Sequence, residues 1–362
     1  MINNESLNGK TIIVVGGNGF IGSNFIRSVF TRYPEVRIVN IDKNTYAGNP
    51  NNLNDIRESS KKRGGGYDFV EQQDDIANPD ISLKTVVGWW RPNFVVNFAA
   101  ETHVDRSIHG DKQGFINTNI IGVYNLLEAI KDSGVEKFIQ ISSDEIFGQL
   151  PIDSDKKFTR NSPIDPSSLY SATKASGDLL CGAYYRTWGV PVIITRCSNN
   201  YGPYQYPEKL IPYWTMLLSR GEKMPMYGDG LNIRDWIHVD DHGDAIIACL
   251  LRGEPGKVYN IGANNERSNI EIARLVAKIM FGSKAGEDWE NKYVKKVVDR
   301  PGHDRRYAID NTDTVNELGW TPVVTFDEFE EKLKDTVLWF MNNQEWVNES
   351  IRRGGANVHI NS

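Results

Sequence analysis

Cysteine is scarce in this chain of 362 residues: only Cys181, Cys197 and Cys249 occur, without C-x-x-C spacing. An odd count in that arrangement argues against a disulfide framework or a zinc knuckle and makes reduced thiols in a cytoplasmic protein the expectation. Long apolar runs are missing too. The longest, Ala245 to Leu251, has seven residues, far short of the roughly 20 that span a bilayer, so no membrane partner is expected. Met1-Ile-Asn-Asn-Glu-Ser6 carries neither the basic nor the apolar region of a signal peptide. There is no excess of positive charge, since 41 Lys and Arg stand against 47 Asp and Glu, a formal −6. A chain of that sign is a poor general binder of phosphate backbones, which disfavours nucleic acid as the main partner. The six His show no H-E-x-x-H spacing. His238 and His242, set among Asp240, Asp241 and Asp244, suit a solvated or capping face better than a metal site, so no metal is expected. Internal repeats and low-complexity tracts are absent.

The composition that remains is ordinary for a globular protein, with 40% apolar and 24% charged residues. A chain this long can bury a large core, and at roughly 150 residues per domain it suggests about two domains. Thr11-Ile-Ile-Val-Val15 is a continuous β-branched run, the mark of a strand buried on both faces. Val36–Ile41, Tyr67–Glu71, Phe94–Phe98, Lys137–Ile141 and Val192–Thr195 follow, with helical patterns between most of them. Six strands in βαβ rhythm predict a doubly wound parallel sheet. Past residue 198 the rhythm gives way to turn-rich segments and two helices, Ile270–Met280 and Phe326–Trp339. The expected division is a dinucleotide-binding domain over 1–198, a smaller α/β lobe over 199–345 with segments interleaved, and a tail over 346–362 that frays from Asn348. Lys61-Lys-Arg-Gly-Gly-Gly66 reads as a flexible surface loop.

Gly16-Gly-Asn-Gly19-Phe-Ile-Gly22 joins the first strand to a helix. Residues without Cβ at such a turn let backbone N–H groups and the helix N-terminus approach a pyrophosphate. Asp42 ends the second strand, where an acid can accept both ribose hydroxyls and repels a 2′-phosphate; NAD is favoured over NADP, with Lys43 alongside as the contrary sign. Tyr170-Ser-Ala-Thr-Lys174 puts phenol and ammonium on one helix face. A cation beside the phenol lowers its pKa and suits it to act as a base. Ser143, Asp144 and Glu145 lie at the carboxyl end of the fifth strand, the edge where such sheets bind ligands. Two acids with separated pKa values suit paired proton transfers, and a solvated loop acid pair is the plain alternative. Arg234 and the cluster Arg300-Pro-Gly-His-Asp-Arg-Arg306 are candidates to clamp a diphosphate, or simply to pair with surface acids.

Together these motifs resemble the extended short-chain dehydrogenase/reductase family and, within it, the dTDP-glucose 4,6-dehydratases. Ala99-Ala-Glu-Thr-His-Val-Asp-Arg-Ser107, Asn199-Asn-Tyr-Gly-Pro-Tyr-Gln205, Tyr227-Gly-Asp-Gly-Leu-Asn-Ile-Arg-Asp-Trp236 and Asp299-Arg-Pro-Gly-His303 extend the likeness from about Lys10 to Trp339. The resemblance implies a Rossmann-type sheet with a substrate-binding lobe. It implies NAD held by Gly16, Gly19, Phe20, Ile21 and Gly22, by Asp42, Lys43, Asn44 and Thr45, and by Asp75 and Ile76. Phe98, Ala99, Ala100, Glu101, Thr102, Thr118, Tyr170, Lys174 and Asn200 complete that site. A nucleotide-diphosphate sugar is implied at Thr102, Ser143, Asn199, Lys209, Leu210, Pro225, Met226 and Tyr227. Arg234, Asn269, Asp299, Arg300, Pro301, Gly302 and His303 complete the second site. A homodimer through helices Phe115–Lys131 and Tyr170–Trp188 is implied as well.

The chemistry implied is a 4,6-dehydration. Tyr170, aided by Lys174 and Ser143, handles the O4 proton during oxidation at C4. Glu145 then takes the C5 proton while Asp144 donates to the departing O6. Ser143 stands where the family usually has Thr and lacks the methyl that fixes its rotamer; Val15, Thr102 and Phe147 are milder departures. Alternatives are a dehydratase acting on a UDP-, GDP- or N-acetylglucosamine-type sugar, a nucleotide-sugar 4-epimerase, and a UDP-glucuronate decarboxylase. An epimerase has no use for an acid–base pair at C5 and C6. A non-catalytic relative would be expected to have lost Tyr170 or Lys174.

Overall fold

The computed structural model describes residues 6–63, 66–78 and 83–354. Residues 1–5, Gly64 and Gly65 of the glycine loop, and 355–362 of the expected tail lie outside the described residues. Seven strands form the main sheet: β1 (Thr11–Val15), β2 (Arg37–Asp42), β3 (Phe69–Gln73), β4 (Phe94–Asn97), β5 (Lys137–Ser143), β6 (Val192–Cys197) and β10 (Val258–Ile261). Their order is β10-β6-β5-β4-β1-β2-β3, and every pairing is parallel. In such a sheet the strand order reverses between β1 and β4, and ligands bind in the crevice at that switch point.

The β-branched run of β1 shows why the chain folds this way. Successive side chains of a strand point to opposite faces. Ile12 and Val14 enter one core with Phe25, Val29 and Phe30 of the helix Phe20–Arg32. Ile13 and Val15 enter another with Leu126, Leu127 and Ile130 of the helix Val123–Ile130. Each fully buried side chain of this kind contributes about 1.5–3 kcal/mol relative to exposure, so a polar residue at any of the four would disrupt a whole face.

The remaining strands are β7 (Asn199–Tyr201), β8 (Met224–Tyr227), β9 (Ile233–His238), β11 (Glu266–Ser268) and β12 (Val294–Val297). They make a three-stranded sheet, β11-β9-β7, and a two-stranded one, β12-β8. A third core gathers Trp214, Met226, Val276, Leu333 and Phe340 from these strands and from helices Leu210–Ser219, Asn269–Phe281 and Phe329–Asn342. The chain crosses back, however. After β9 the helix Val239–Arg252 joins the core of the main sheet beside Phe25, and β10 then pairs with β6. Only four residues long, with Asn260 at its centre, β10 offers too little periodicity to be read as a strand. Asn260 is tolerated there because its buried amide donates to the Phe158 carbonyl at 3.1 Å.

Two other sequence expectations need correction. The helix expected over Phe115–Lys131 is interrupted by a π-helical turn at Asn117–Gly122. Such turns arise where something pulls on the i→i−4 ladder. Here the Asn119 amide accepts from Glu101 N–H at 3.0 Å and donates to Thr173 Oγ1 at 3.0 Å. The tail, expected to fray from Asn348, is helical as far as Arg353 in the helix Gln344–Arg353. Trp346 Nε1 donates to Asn52 Oδ1 at 2.8 Å, and Arg353 donates to the Gly48 carbonyl at 3.1 Å. Its polar composition hid the packing of Trp346, Val347 and Ile351 into the third core. Among the described residues no helix is long and apolar enough to cross a membrane.

Candidate active site

A cleft of about 300 Å³ opens at the carboxyl ends of β1, β2, β4, β5 and β6. Its floor is the glycine turn. Gly16 has φ +79°, and a Cβ there would lie 2.5 Å from the Ala99 nitrogen; one on Gly22 would lie 2.4 Å from the Gly16 carbonyl oxygen. Gly19 is the N-cap of helix Phe20–Arg32 and provides no side-chain cap. The first-turn N–H groups, which have no partners inside the helix, are therefore left for a ligand. Asp42 is buried at the end of β2 and accepts from Asn18 N–H at 2.8 Å and Asn44 N–H at 2.7 Å. Burial pushes its carboxyl up while those two bonds pull it down. One bond per oxygen leaves lone pairs on both for a diol. Lys43 is held by Asp75 at 2.7 Å.

Gly16, Gly19, Phe20, Ile21, Gly22, Asp42, Lys43 and Thr45 all line this cleft, as do Asp75, Ile76, Phe98, Ala99, Ala100 and Glu101. Thr102, Thr118, Tyr170, Lys174 and Asn200 join them. Asn44 stands behind the wall, where its Oδ1 accepts from Asn18 Nδ2 at 2.7 Å. Sequence reading did not name Cys197, Ser198 and Glu208, which also line it. The first two follow from one signal, the carboxyl end of β6. Glu208 has no such signal, being brought in by Arg106, whose Nε donates to it at 2.9 Å while its guanidinium lies 3.5 Å over the Tyr46 ring.

Strand β5 delivers Ser143, Asp144 and Glu145 to the cleft, with Asp144–Phe147 forming a 3-10 turn. Glu145 N–H donates to Ser143 Oγ at 3.3 Å, and that hydroxyl donates to Asp144 Oδ1 at 3.4 Å. Asp144 is 2% exposed, and its Oδ2 has no partner. Burial, then Glu145, then Asp235 drive its carboxyl well above the usual range. Burial raises Glu145 too, but Arg300, Arg234 and Lys209 pull against it. Both carboxyls are raised, Asp144 the more strongly because no comparable set of cations opposes its rise, and such a separation suits one for an acid and the other for a base.

Tyr170 is set by a capping box at the start of helix Leu169–Trp188, where Ser168 and Ser171 exchange side-chain-to-backbone bonds. Burial and then Glu145 hold its phenol well up, with the Ser143 hydroxyl acting the other way. The expectation that Lys174 lowers this phenol is not met. Lys174 shares the cleft, but its Nζ donates to the Ile141 carbonyl at 2.5 Å, and burial and Glu145 outweigh it.

A second cavity of about 200 Å³ adjoins the first and shares Thr102, Glu145, Tyr170, Asn199, Glu208 and Lys209 with it. Leu210, Pro225, Tyr227, Arg234, Asn269, Arg300 and His303 complete the expected residues that line it. Strand alternation explains β8, where Pro225 and Tyr227 face the cavity while Met226, also expected there, turns into the third core. Asp299, Pro301 and Gly302 do not line it. Asp299 instead holds His303, Oδ1 to Nδ1 at 2.6 Å. Burial and Arg300 bring His303 down to about 4, so it is neutral near pH 7. Arg300 pairs with Asp105 at 3.1 Å, and Arg234 stacks over Tyr307 at 4.1 Å. Among the described residues no group of three His, Cys, Asp or Glu is placed to hold a metal ion.

His242 is fully buried, its Nδ1 2.8 Å from Asn200 Oδ1, and burial holds its imidazole down to about 3. An unfolded histidine titrates near 6.5, so as pH falls from there towards 3 the unfolded chain binds a proton that the folded one refuses. Its stability contribution is present above the unfolded pKa and is lost below it at about 1.4 kcal/mol per pH unit. Urea unfolding at about pH 7 and about pH 5 is expected to show this loss in the parent and less of it in His242→Gln. Equal losses would remove the assignment.

The family model described as GDP-mannose 4,6 dehydratase matches residues 13–333. A dTDP-glucose 4,6-dehydratase of Xanthomonas campestris pv. campestris is 42% identical over 348 residues, 93% of this chain and 95% of that protein. Among solved structures, a dTDP-glucose 4,6-dehydratase of Bacillus anthracis in complex with NAD matches with TM-score 0.83 and 41% identity, covering 95% of this chain and all of that one. A dTDP-glucose 4,6-dehydratase of Streptomyces venezuelae with NAD and TYD bound gives TM-score 0.84 and 38% identity, covering 94% of this chain and all of that one.

Proposed function

The chain belongs to the GDP-mannose 4,6-dehydratase family, and from that premise we propose that it is an NAD-dependent lyase converting dTDP-glucose to the 4-keto-6-deoxy sugar. The observation that carries this reading is the Asp144–Glu145 pair, one acid driven above the other, in one cleft with Tyr170, Lys174 and Ser143. Relatives named dTDP-glucose 4,6-dehydratase at about 40% identity over nearly the whole chain support the substrate.

The cleft fits NAD on its own geometry. Gly16 and Gly22 leave no room for a Cβ, the uncapped helix N-terminus suits a diphosphate, and Asp42 offers lone pairs to a ribose diol and repulsion to a 2′-phosphate. Residues 19–22, 42–45, 75–76 and 98–102, with Thr118 and Asn200, would hold the cofactor. Bound NAD supplies a hydride acceptor at C4, the hydride returned to C6, and, oxidised, a positive charge that favours the phenolate.

Tyr170 takes the O4 proton, with Ser143 hydrogen-bonded to O4; the Lys174 ammonium in the same cleft opposes, without outweighing, the burial and Glu145 that hold the phenol up. The ketone at C4 makes C5–H acidic enough for Glu145 to remove. Asp144 gives its proton to O6, which leaves as water, and as C6 is reduced Glu145 returns a proton to C5, which completes the 4-keto-6-deoxy sugar. Arg234, Arg300, Lys209 and neutral His303 meet the diphosphate, and Tyr227 and Asn269 the nucleoside. We assign the NAD-holding role to residues 1–198 and the sugar nucleotide mainly to 199–345, in the cytoplasm, whose reducing conditions suit three buried thiols.

A panel of dTDP-, UDP-, CDP- and GDP-glucose tests the substrate. The dTDP sugar is expected to be turned over best, although the thymine methyl that uracil lacks is worth only about 1–3 kcal/mol and UDP differs otherwise by its 2′-hydroxyl. Preference for another base would overturn the dTDP assignment. Homodimerisation is part of the proposal, since Ile121, Tyr124, Leu179 and Trp188 leave an exposed apolar face on helices 117–130 and 169–188. Light scattering should give twice the chain mass; a monomer at assay concentration would rule the dimer out.

A further inference from the structure

Tyr170, Lys174 and Asp178 recur every four residues along helix Leu169–Trp188 and so share one face. The third of them has no part in the chemistry above. Lys174 and Asp178 are 5% and 3% exposed, and Arg196, reaching over from β6, is 6% exposed. Arg196 Nε donates to Asp178 Oδ2 at 3.1 Å, while Asp178 Oδ1 has no hydrogen-bond partner. The guanidinium also donates to the Arg160 carbonyl at 3.1 Å and lies 5.0 Å over the Phe147 ring. The result is a buried row of charges, positive, negative, positive, leading away from the phenol.

We propose that Asp178, kept ionised by Arg196, is a positioning residue that holds the buried Lys174 side chain in its charged form beneath Tyr170. A carbonyl partner satisfies one N–H of an ammonium but does not balance its charge, and an unbalanced buried cation is costly. The groups facing Lys174 are Asp178 and Cys181 from its own helix and Cys197 from β6. Burial pushes the Cys197 thiol up to about 12 and holds the Cys181 thiol well above its ordinary value, which leaves both neutral. Asp178 is thus the anion facing Lys174 among the described residues. Facing Asp178 in turn are Arg196, Ser142 and Lys174; burial pushes its carboxyl up, and Arg196 is the first group to oppose that. The inference rests on the proposed role of Lys174 beside Tyr170 and adds what keeps that role available.

The test is a pH titration of the Lys174 ammonium in protein labelled with [ε-13C]lysine, its NMR signal assigned by disappearance in Lys174→Met. Asp178→Asn is expected to lower the Lys174 midpoint by about one pH unit or more, the scale of a lost opposite charge. The basic limb of the dehydration rate should follow it down, and Asp178→Glu should restore both. Should Asp178→Asn fail to fold, Asp178→Asn/Arg196→Gln removes both partners together, which buried pairs tolerate better, and the same downward shift is expected. An unmoved Lys174 midpoint in the folded variant would overturn the inference. A parent enzyme inert towards dTDP-glucose would instead overturn the proposed function, leaving the NMR midpoint to decide this one.

Discussion

Glu145→Gln should abolish dehydration, lowering turnover of dTDP-glucose by about 10²–10⁴-fold, the usual contribution of a positioned base. The substitution keeps the size and hydrogen-bonding reach of the side chain, so Arg234, Arg300 and Lys209, which now pull on its charge, should remain in place. Binding of the nucleotide sugar should change far less than turnover, because this base acts on C5–H after the sugar is oxidised. Asp144→Asn should cost a similar factor, since a buried acid whose carboxyl is held well above its ordinary range, first by burial and then by Glu145, is what the departing O6 requires. The sign in pH follows. A carboxyl raised by burial keeps its proton until pH climbs through the raised value, so the parent should lose activity on the alkaline side, and Asp144→Asn should lack that loss. Product quantified against pH for the three proteins checks both points. Full turnover in either variant would show that elimination uses other groups.

The second large effect is expected at Tyr170. Tyr170→Phe removes the group that takes the O4 proton and should cost about 10²–10⁴-fold in kcat, while leaving the fold intact. The ring stays in edge-on contact with Phe115 at 6.5 Å, and the helix keeps its Ser168–Ser171 cap. Thermal unfolding within about 1–2 °C of the parent together with the lost turnover would place the effect in chemistry. Because burial and Glu145 both push this phenol up, the parent's acidic limb should fall to lower pH when positive charge is added to the cleft. Oxidised NAD carries such charge, so spectroscopic titration of the phenol with and without it should give a lower midpoint with it. Near-parental turnover of Tyr170→Phe would show that another group takes the O4 proton.

How far the sequence foretold this molecule depended on whether each signal was local. Six strands of the main sheet were legible from local apolar residues, β-branched runs such as Thr11–Val15 and Val192–Thr195 above all, and Gly16, Gly19 and Gly22 because a turn against a backbone declares itself in residue type. Asp144 and Glu145 were legible as neighbours at a strand end, though not the ordering of their pKa values. That ordering comes from Asp235, Arg234 and Arg300, which lie about 90–155 residues away in sequence and meet the pair only after folding. Strand β10, the π-helical turn at Asn117–Gly122 and the helix Gln344–Arg353 were illegible for the same reason. Each is stabilised by distant partners, Phe158, Glu101 and Asn52 among them, that override weak local preference. Met226 was misplaced by reading a run of residues as one surface, when a strand gives alternate residues to opposite faces.

The central claim is that Asp144 and Glu145 expel water across C5 and C6 after oxidation at C4. The most direct measurement is NMR of the product that the purified enzyme forms from dTDP-glucose in D2O without added nucleotide. A 4-keto sugar with a new C6 methyl and deuterium at C5 is the predicted result. An epimerised hexose with its C6 hydroxyl intact, or a methyl formed without solvent deuterium at C5, would contradict it.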